Sequence, residues 1–213
     1  MLDLINVQFG YSKSADFNFS CKFDLNLPVV IHGPSGSGKS TFLNIISGLV
    51  TPFSGSIKYE GQDLCELSPA ERPLSILFQR GNLFDHISCF RNVELGLNSK
   101  IDKEYSKSII EEIFNHLGIS PLLYKLPSEI SGGQRKRVAL ARVIARAKCL
   151  SKKLLLLDEP FNGLDNHTKV HCIKILSDLQ FNDHCKIIII SHDINDPASL
   201  GGIEVNLDDI REV

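Results

Sequence analysis

Residues 28–49, PVVIHGPSGSGKSTFLNIISGL, decide the fold. The opening run, residues 28–32, is short, apolar and rich in branched side chains, which reads as a strand buried on both faces of a parallel sheet. Gly33-Pro34-Ser35-Gly36-Ser37-Gly38-Lys39-Ser40 then fits the phosphate-loop pattern GxxxxGK[ST], and TFLNIISGL continues from Thr41 as an apolar helix. The glycines let the backbone curl so that successive N–H groups point inward at phosphate oxygens. Lys39 is placed to reach the β- and γ-phosphates, and the Ser40 hydroxyl to hold Mg²⁺. A strand, a glycine-rich loop and a helix in that order predict an α/β nucleotide-binding fold.

Working outward, KLLLLDEP (153–160) and KIIIISHD (186–193) are further unbroken apolar runs ending in polar residues. With helical segments between them, they predict a P-loop NTPase core with a mostly parallel sheet. SILFQ (75–79) reads as another core strand. MLDLINVQFG is strand-like, with an acidic third residue, and is not a signal peptide. In FNFSCKFDLNL (17–27), Phe17, Phe19, Cys21, Phe23, Leu25 and Leu27 alternate strictly, which predicts a half-buried antiparallel strand. An N-terminal antiparallel β subdomain is therefore expected beside the parallel core.

Between Gln79 and Ser131 the pattern becomes helical. Ile109, Ile110, Ile113, Phe114 and Leu117 share one helical face, with Gly118 and Pro121 as stop signals. The expected organisation is one domain, 1–213, with a nucleotide-binding core at 1–80 and 131–213 and a helical subdomain at 81–130. The chain has 23 Lys+Arg against 25 Asp+Glu, a net charge of −2, which argues against a nonspecific nucleic-acid partner. The six scattered cysteines form no CxxC pair, so buried free thiols are expected. No apolar run reaches the roughly 18 residues of a membrane span. A soluble, cytosolic chain is the expectation.

Two carboxylates, Asp158 and Glu159, end the leucine run, at the carboxyl edge of a parallel sheet where ligands sit. Asp158 is expected to hold Mg²⁺ through water and Glu159 to polarise the water attacking the γ-phosphate. His192 stands at a third strand end and is assigned to the γ-phosphate. His167 and His171 lie four residues apart on one helix face but lack nearby ligands for a metal, and His32 reads as a packed strand residue. A second anion cradle then appears in EISGGQRKRVALARVIARA (129–147), where paired glycines open a basic helix.

Taken together, these residues resemble the ATP-binding cassette (ABC) ATPase family over essentially the whole chain. GPSGSGKST (33–41) is similar to its Walker A, LLLLDEP to its Walker B with the catalytic glutamate, and ISGGQ to its signature. Gln79 resembles the Q-loop glutamine, a metal neighbour; NGLD with Asp165 resembles the D-loop, and His192 the H-loop histidine. Tyr11 stands where the family places an aromatic that stacks on adenine. The resemblance implies ATP and Mg²⁺ as cofactors and a head-to-tail homodimer. In it, Ser131, Gly132, Gly133, Gln134 and Asp165 complete the site on the opposite chain, from Gly33 to Thr41. Ile130 replaces the usual leucine, and Asn162-Gly163 departs from the common D-loop pair.

Neither a long coiled-coil insertion nor a second cassette is present, so chromosome-structure and ribosome-binding relatives fit poorly, and a small P-loop kinase does not explain ISGGQ. The resemblance implies an importer subunit lying peripherally on the cytoplasmic face of the cell membrane, paired with permease chains and indirectly with a substrate-binding protein. A C-terminal regulatory extension is not expected. RPLSILFQRGNLFDHISCFRNVELGL and LLLLDEPFNGLD are most similar to the ATPase subunits of thiamine importers. Thiamine or its phosphates are the expected solute; iron(III), sulfate, polyamines and lipoprotein or peptide export stay open.

Overall fold

Two sheets of opposite character set the position of everything else. The structure is a computed structural model describing residues 1–11, 16–79, 82–97, 101–150 and 153–212. In chain order it begins with β1 (Leu2–Phe9), β2 (Phe17–Phe23), β3 (Val29–His32), α1 (Lys39–Ser47), β4 (Ser54–Tyr59), β5 (Gln62–Asp63) and β6 (Leu74–Leu77). Next come α2 (Cys89–Glu94), α3 (Lys103–His116), α4 (Gly132–Lys148), β7 (Leu154–Asp158) and α5 (Asn166–Phe181). The chain closes with β8 (Lys186–Ile190), α6 (Asp196–Leu200), β9 (Ile203–Asn206) and β10 (Arg211–Glu212). One sheet is antiparallel, ordered β10-β2-β1-β4-β5; the other is parallel, ordered β6-β7-β8-β3-β9.

The unbroken apolar runs follow from burial on both faces. Along β7, Leu155 and Leu157 join the cluster packed against α3, α4 and α5, while Leu154 and Leu156 join the cluster shared with α1 and the antiparallel sheet. Ile187 and Ile189 of β8 face the first cluster, Ile188 and Ile190 the second. Period-2 alternation cannot appear in a strand that has no solvent face. At the end of α1, the buried Arg72 guanidinium donates to the carbonyls of Ile45 (3.0 Å) and Ile46 (2.6 Å). A cation at the carboxyl end complements the helix dipole and fixes the helix that carries the phosphate loop.

The N-terminal strands run as expected, with one correction. β2 stops at Phe23 and does not continue to Leu27. Leu25 takes a left-handed backbone, φ 59, and turns the chain, so it is buried from the turn, while Leu27 is left 39% exposed. The core strand read at 75–79 is β6, Leu74–Leu77, so Phe78 and Gln79 lie past its end, at the sheet edge. The helical periodicity of 109–117 is α3, capped by Asp102, whose carboxylate accepts from the Glu104 and Tyr105 amides. The boundary placed between residues 80 and 81 lies outside the described residues. No helix among them is long and apolar enough to cross a membrane, and all six cysteines are free.

Candidate functional site

The parallel sheet delivers three strand ends to one place. β3 runs into the loop 33–38, where Gly36 (φ 81) and Gly38 (φ 100) take conformations that side chains rarely adopt. At Gly38 a Cβ would also meet the Phe17 ring at 2.5 Å. Lys39, the first residue of α1, is only 6% exposed, and its ammonium donates back to the carbonyls of Gly33 (2.8 Å) and Pro34 (2.7 Å). Burial pushes the Lys39 pKa down, against the opposing charges of Glu159, Asp158 and Asp208. An ammonium folded against a glycine-rich loop matches a polyphosphate.

β7 brings Asp158 and Glu159, both nearly buried. The Ser40 hydroxyl donates to Asp158 Oδ2 at 2.8 Å. Burial raises the Asp158 carboxyl, helped by the charge on Glu159 and opposed by the Ser40 hydrogen bond. Glu159 has three partners. Its Oε2 accepts from Gln79 Nε2 (3.1 Å) and Asn162 Nδ2 (2.8 Å), and its Oε1 lies 2.9 Å from His192 Nε2. Burial alone would raise its pKa; the Asn162 and Gln79 hydrogen bonds and the charges of His192 and Lys136 outweigh it and hold Glu159 below the usual range. Its backbone is left-handed, φ 48, tied by the Glu159 amide to the Ile190 carbonyl at 3.0 Å. The carboxylate is thus aimed by main chain and side chain together, and it is ionised at neutral pH.

With Tyr11, Phe17, Ser35, Gly36, Gly38 and Thr41, the Lys39, Ser40, Gln79, Glu159 and His192 side chains line an open cleft of about 330 Å³, and Asp158 joins it through its hydrogen bond with Ser40. The Tyr11 ring is 75% exposed, stands edge-on to Phe9 (5.1 Å) and Phe17 (6.3 Å), and its hydroxyl lies 2.5 Å from Thr41 Oγ1. Tyr11, the phosphate loop, Gln79, Asp158, Glu159 and His192 therefore come together in one chain. Ser131, Gly132, Gly133 and Gln134 do not line this cleft. They form the start of α4, where Ser131 Oγ accepts from the Gln134 amide (3.3 Å) and Gln134 Oε1 from the Ser131 amide (2.9 Å). A Cβ on Gly133 would meet only Gly163 O (3.4 Å) and Leu164 Cδ2 (3.7 Å), so that glycine is not demanded by its own chain. Asp165 caps α5 through Thr168, whose amide (2.9 Å) and hydroxyl (2.7 Å) donate to its carboxylate.

Sequence reasoning missed three residues. Phe17 walls the phosphate loop, a role that strand alternation cannot signal. Lys136 donates to the Asn162 carbonyl (2.8 Å), joining the start of α4 to the turn after Glu159. Asn162 was legible in part, because the Asn162 amide bonds the Glu159 carbonyl at 3.3 Å in a tight turn, and an i,i+3 spacing in such a turn returns a side chain to the first residue. His171 meets the carbonyl of His116 through a ring nitrogen.

A family model described as "ABC transporter" matches residues 17–162. The thiamine import ATP-binding protein ThiQ of Escherichia coli (strain K12) is 37% identical over 212 residues, covering 99% of this chain and 89% of that protein. ThiQ of Salmonella typhimurium (strain LT2) is 38% identical over 201 residues, covering 94% and 83%. Among solved structures, the dimeric post-hydrolysis state of the ATP-binding cassette MJ0796 bound to ADP and Pi superposes with a TM-score of 0.85 at 27% identity, covering 97% of this chain and 94% of that one. A second dimeric structure of MJ0796, a bacterial ABC transporter cassette, gives 0.83 at 28% identity over the same shares.

Proposed function

The chain belongs to the ABC transporter family and is one of its ATPases, and we propose that it is the ATP-hydrolysing subunit of an importer for thiamine or its phosphates. The hydrolytic assignment rests on one observation, a glutamate held ionised by Gln79, Asn162 and His192 beside the loop that carries Lys39. Lys39 and the loop amides hold the β- and γ-phosphates, and Tyr11 offers a stacking face to the adenine. Glu159 accepts a proton from the attacking water, a step that general bases accelerate by roughly 10²–10⁴-fold. His192 meets both Glu159 and the γ-phosphate side of the cleft, and so keeps the base and the reacting group in register.

The Ser40 hydroxyl, the Asp158 carboxylate and the Gln79 amide oxygen are hard donors, the kind Mg²⁺ takes alongside phosphate oxygens and water. Their fit makes these three the residues that would hold the ion, which would supply charge neutralisation on the phosphates. Residues 81–130 are taken as the helical subdomain. Ser131, Gly132, Gly133, Gln134 and Asp165 lie outside the cleft of their own chain, which supports a head-to-tail homodimer in which they close on the partner's nucleotide. The dimeric solved relatives support the same reading. In that arrangement the homodimer sits peripherally on the cytoplasmic face of the membrane against transmembrane permease chains, which receive solute from a binding protein.

Thiamine rests on identity that spans nearly the whole chain with the two ThiQ proteins. The test is to co-purify the chain with its permease, reconstitute the complex in vesicles, and measure ATP-dependent accumulation of labelled thiamine, thiamine phosphates, iron(III), sulfate and polyamines. Accumulation of thiamine or a thiamine phosphate alone is expected. Accumulation of any other solute in its place would overturn the assignment.

A further inference from the structure

His192 is nearly half exposed, on a loop, and the contact with Glu159 does not by itself explain what holds that loop still. The answer lies in a second cleft of about 420 Å³, which Glu159 and His192 also line from the side away from the phosphate loop. There Lys169, from the second turn of α5, reaches both carboxylates of the 191–196 segment: Asp193 Oδ2 at 2.5 Å and Asp196 Oδ1 at 2.6 Å. Asp196 is fully buried. Its other oxygen accepts from the Ser191 hydroxyl at 2.5 Å, and Ser191 Oγ in turn accepts from the Asp193 amide at 3.1 Å. The ring Lys169–Asp193–Ser191–Asp196–Lys169 thus closes around His192, the one member of residues 191–193 whose side chain takes no part in it.

We propose that Lys169 is a positioning residue for His192, clamping the 191–196 loop to α5 so that the imidazole stays on Glu159. The clamp also reaches the other side of the site, because the Lys169 ammonium lies 5.8 Å from the centre of the Phe161 ring, two residues beyond Glu159. One cation therefore spans the two loops that carry the base and its histidine. Charge supports the geometry: Lys169 hydrogen bonds hold Asp193 down to about 2, and against its own burial Lys169 is raised by the two aspartates. Both ends of the clamp are charged at neutral pH. The inference rests on the role given to His192 above.

The experiment uses the full-length chain and compares Lys169→Met, Lys169→Arg, Asp193→Asn, His192→Ala and the double variant Lys169→Met/His192→Ala. Misplacing a reacting group by about 1 Å costs on the order of 100-fold, so Lys169→Met should lower kcat by about 10- to 100-fold. KM for ATP should stay within about twofold, because Lys169 does not line the nucleotide cleft. Lys169→Arg should restore most of the rate, and the double variant should be no slower than His192→Ala alone. Losses that multiply in the double variant would overturn the proposal, as would full turnover by a folded Lys169→Met.

Should Lys169→Met fail to fold, Asp193→Asn leaves the buried Lys169–Asp196 pair in place. It should show a smaller kcat loss that likewise vanishes in a His192→Ala background; a multiplying loss, or no loss at all, would overturn the clamp. A ring-labelled histidine NMR spectrum separates the clamp from the chemistry. The His192 signal should shift or broaden in Lys169→Met or Asp193→Asn, and an unmoved signal would refute the clamp. Wild-type turnover by His192→Ala would instead refute the role of His192, and the spectrum would still judge Lys169.

Discussion

Asn162→Ala isolates what aims the carboxylate proposed as the base, Glu159. Asn162 and Gln79 both donate to Glu159 Oε2, at 2.8 and 3.1 Å, while Oε1 faces His192. Removing Asn162 leaves Oε2 with the longer of its two bonds, in a site where Glu159 is only 9% exposed. A hydrogen bond to a charged group contributes about 1.5–3 kcal/mol, and the remaining Gln79 argues for the lower end. About 1.4 kcal/mol corresponds to a tenfold change in rate, so kcat should fall roughly tenfold, with KM for ATP little changed. The pH profile carries the sharper test. In the proposed role Glu159 works as a carboxylate, so turnover should be lost as pH falls through its pKa, and its partners hold that pKa below the ordinary value. Asn162→Ala relieves part of that depression, and the acid limb of kcat should move to higher pH. Any folding stability gained from the depressed pKa is present above the unfolded value and lost as pH falls through the folded one, so the variant should also be less stable near neutrality. ATP turnover measured across pH on both proteins decides the matter. An acid limb that stays put, or moves down, would refute the claim that Asn162 stabilises the ionised glutamate.

Glu159→Gln should cut turnover at least about 100-fold while ATP still binds, checked by nucleotide titration alongside phosphate release. Tyr11→Ala removes a stacking face contributing about 0.5–1.5 kcal/mol, so ATP affinity should weaken roughly threefold to tenfold in equilibrium binding. A Cβ at Gly133 meets nothing closer than 3.4 Å in its own chain, so Gly133→Asp should leave monomer ATP affinity nearly unchanged, yet abolish ATP-driven dimerisation in sedimentation. Loss of binding by that monomer would mean the second cradle serves its own nucleotide.

What could be read from the residues, and what could not, divides along physical lines. The parallel strands were legible because a strand without a solvent face has to be apolar throughout, as Leu154–Leu157 is. The antiparallel sheet was legible in its alternation but not in its end. Polar–apolar order persists past Phe23 although the backbone turns at Leu25, since a buried turn leucine leaves the same mark as a buried strand leucine. β10 pairs with β2 through Arg211 and Glu212, a segment too short to carry any period. At the site, Gly33–Thr41, Asp158, Glu159 and His192 stood out because phosphate chemistry gathers at the carboxyl edge of a parallel sheet. Lys136, Phe17 and Lys169 did not, and Asn162 did only in part, since each matters through a partner distant in sequence or hidden in a turn. The Lys169 contacts to Asp193 and Asp196 join residues on different elements, and no spacing rule encodes them.

Glu159 holds a backbone angle, φ 48, that is natural to glycine and unfavourable by about 1–2 kcal/mol for a residue bearing a Cβ. The replacement that would best relax the main chain at this point is therefore the one that removes the proposed proton acceptor, and with it the contacts to Gln79, Asn162 and His192. Strain and side-chain contacts offset each other at a single codon, so a library of this chain screened for survival at raised temperature gains little from Glu159→Gly. Such a screen would have to find its gains elsewhere, in places such as the turn at Leu25, whose left-handed angle (φ 59) carries no such contacts.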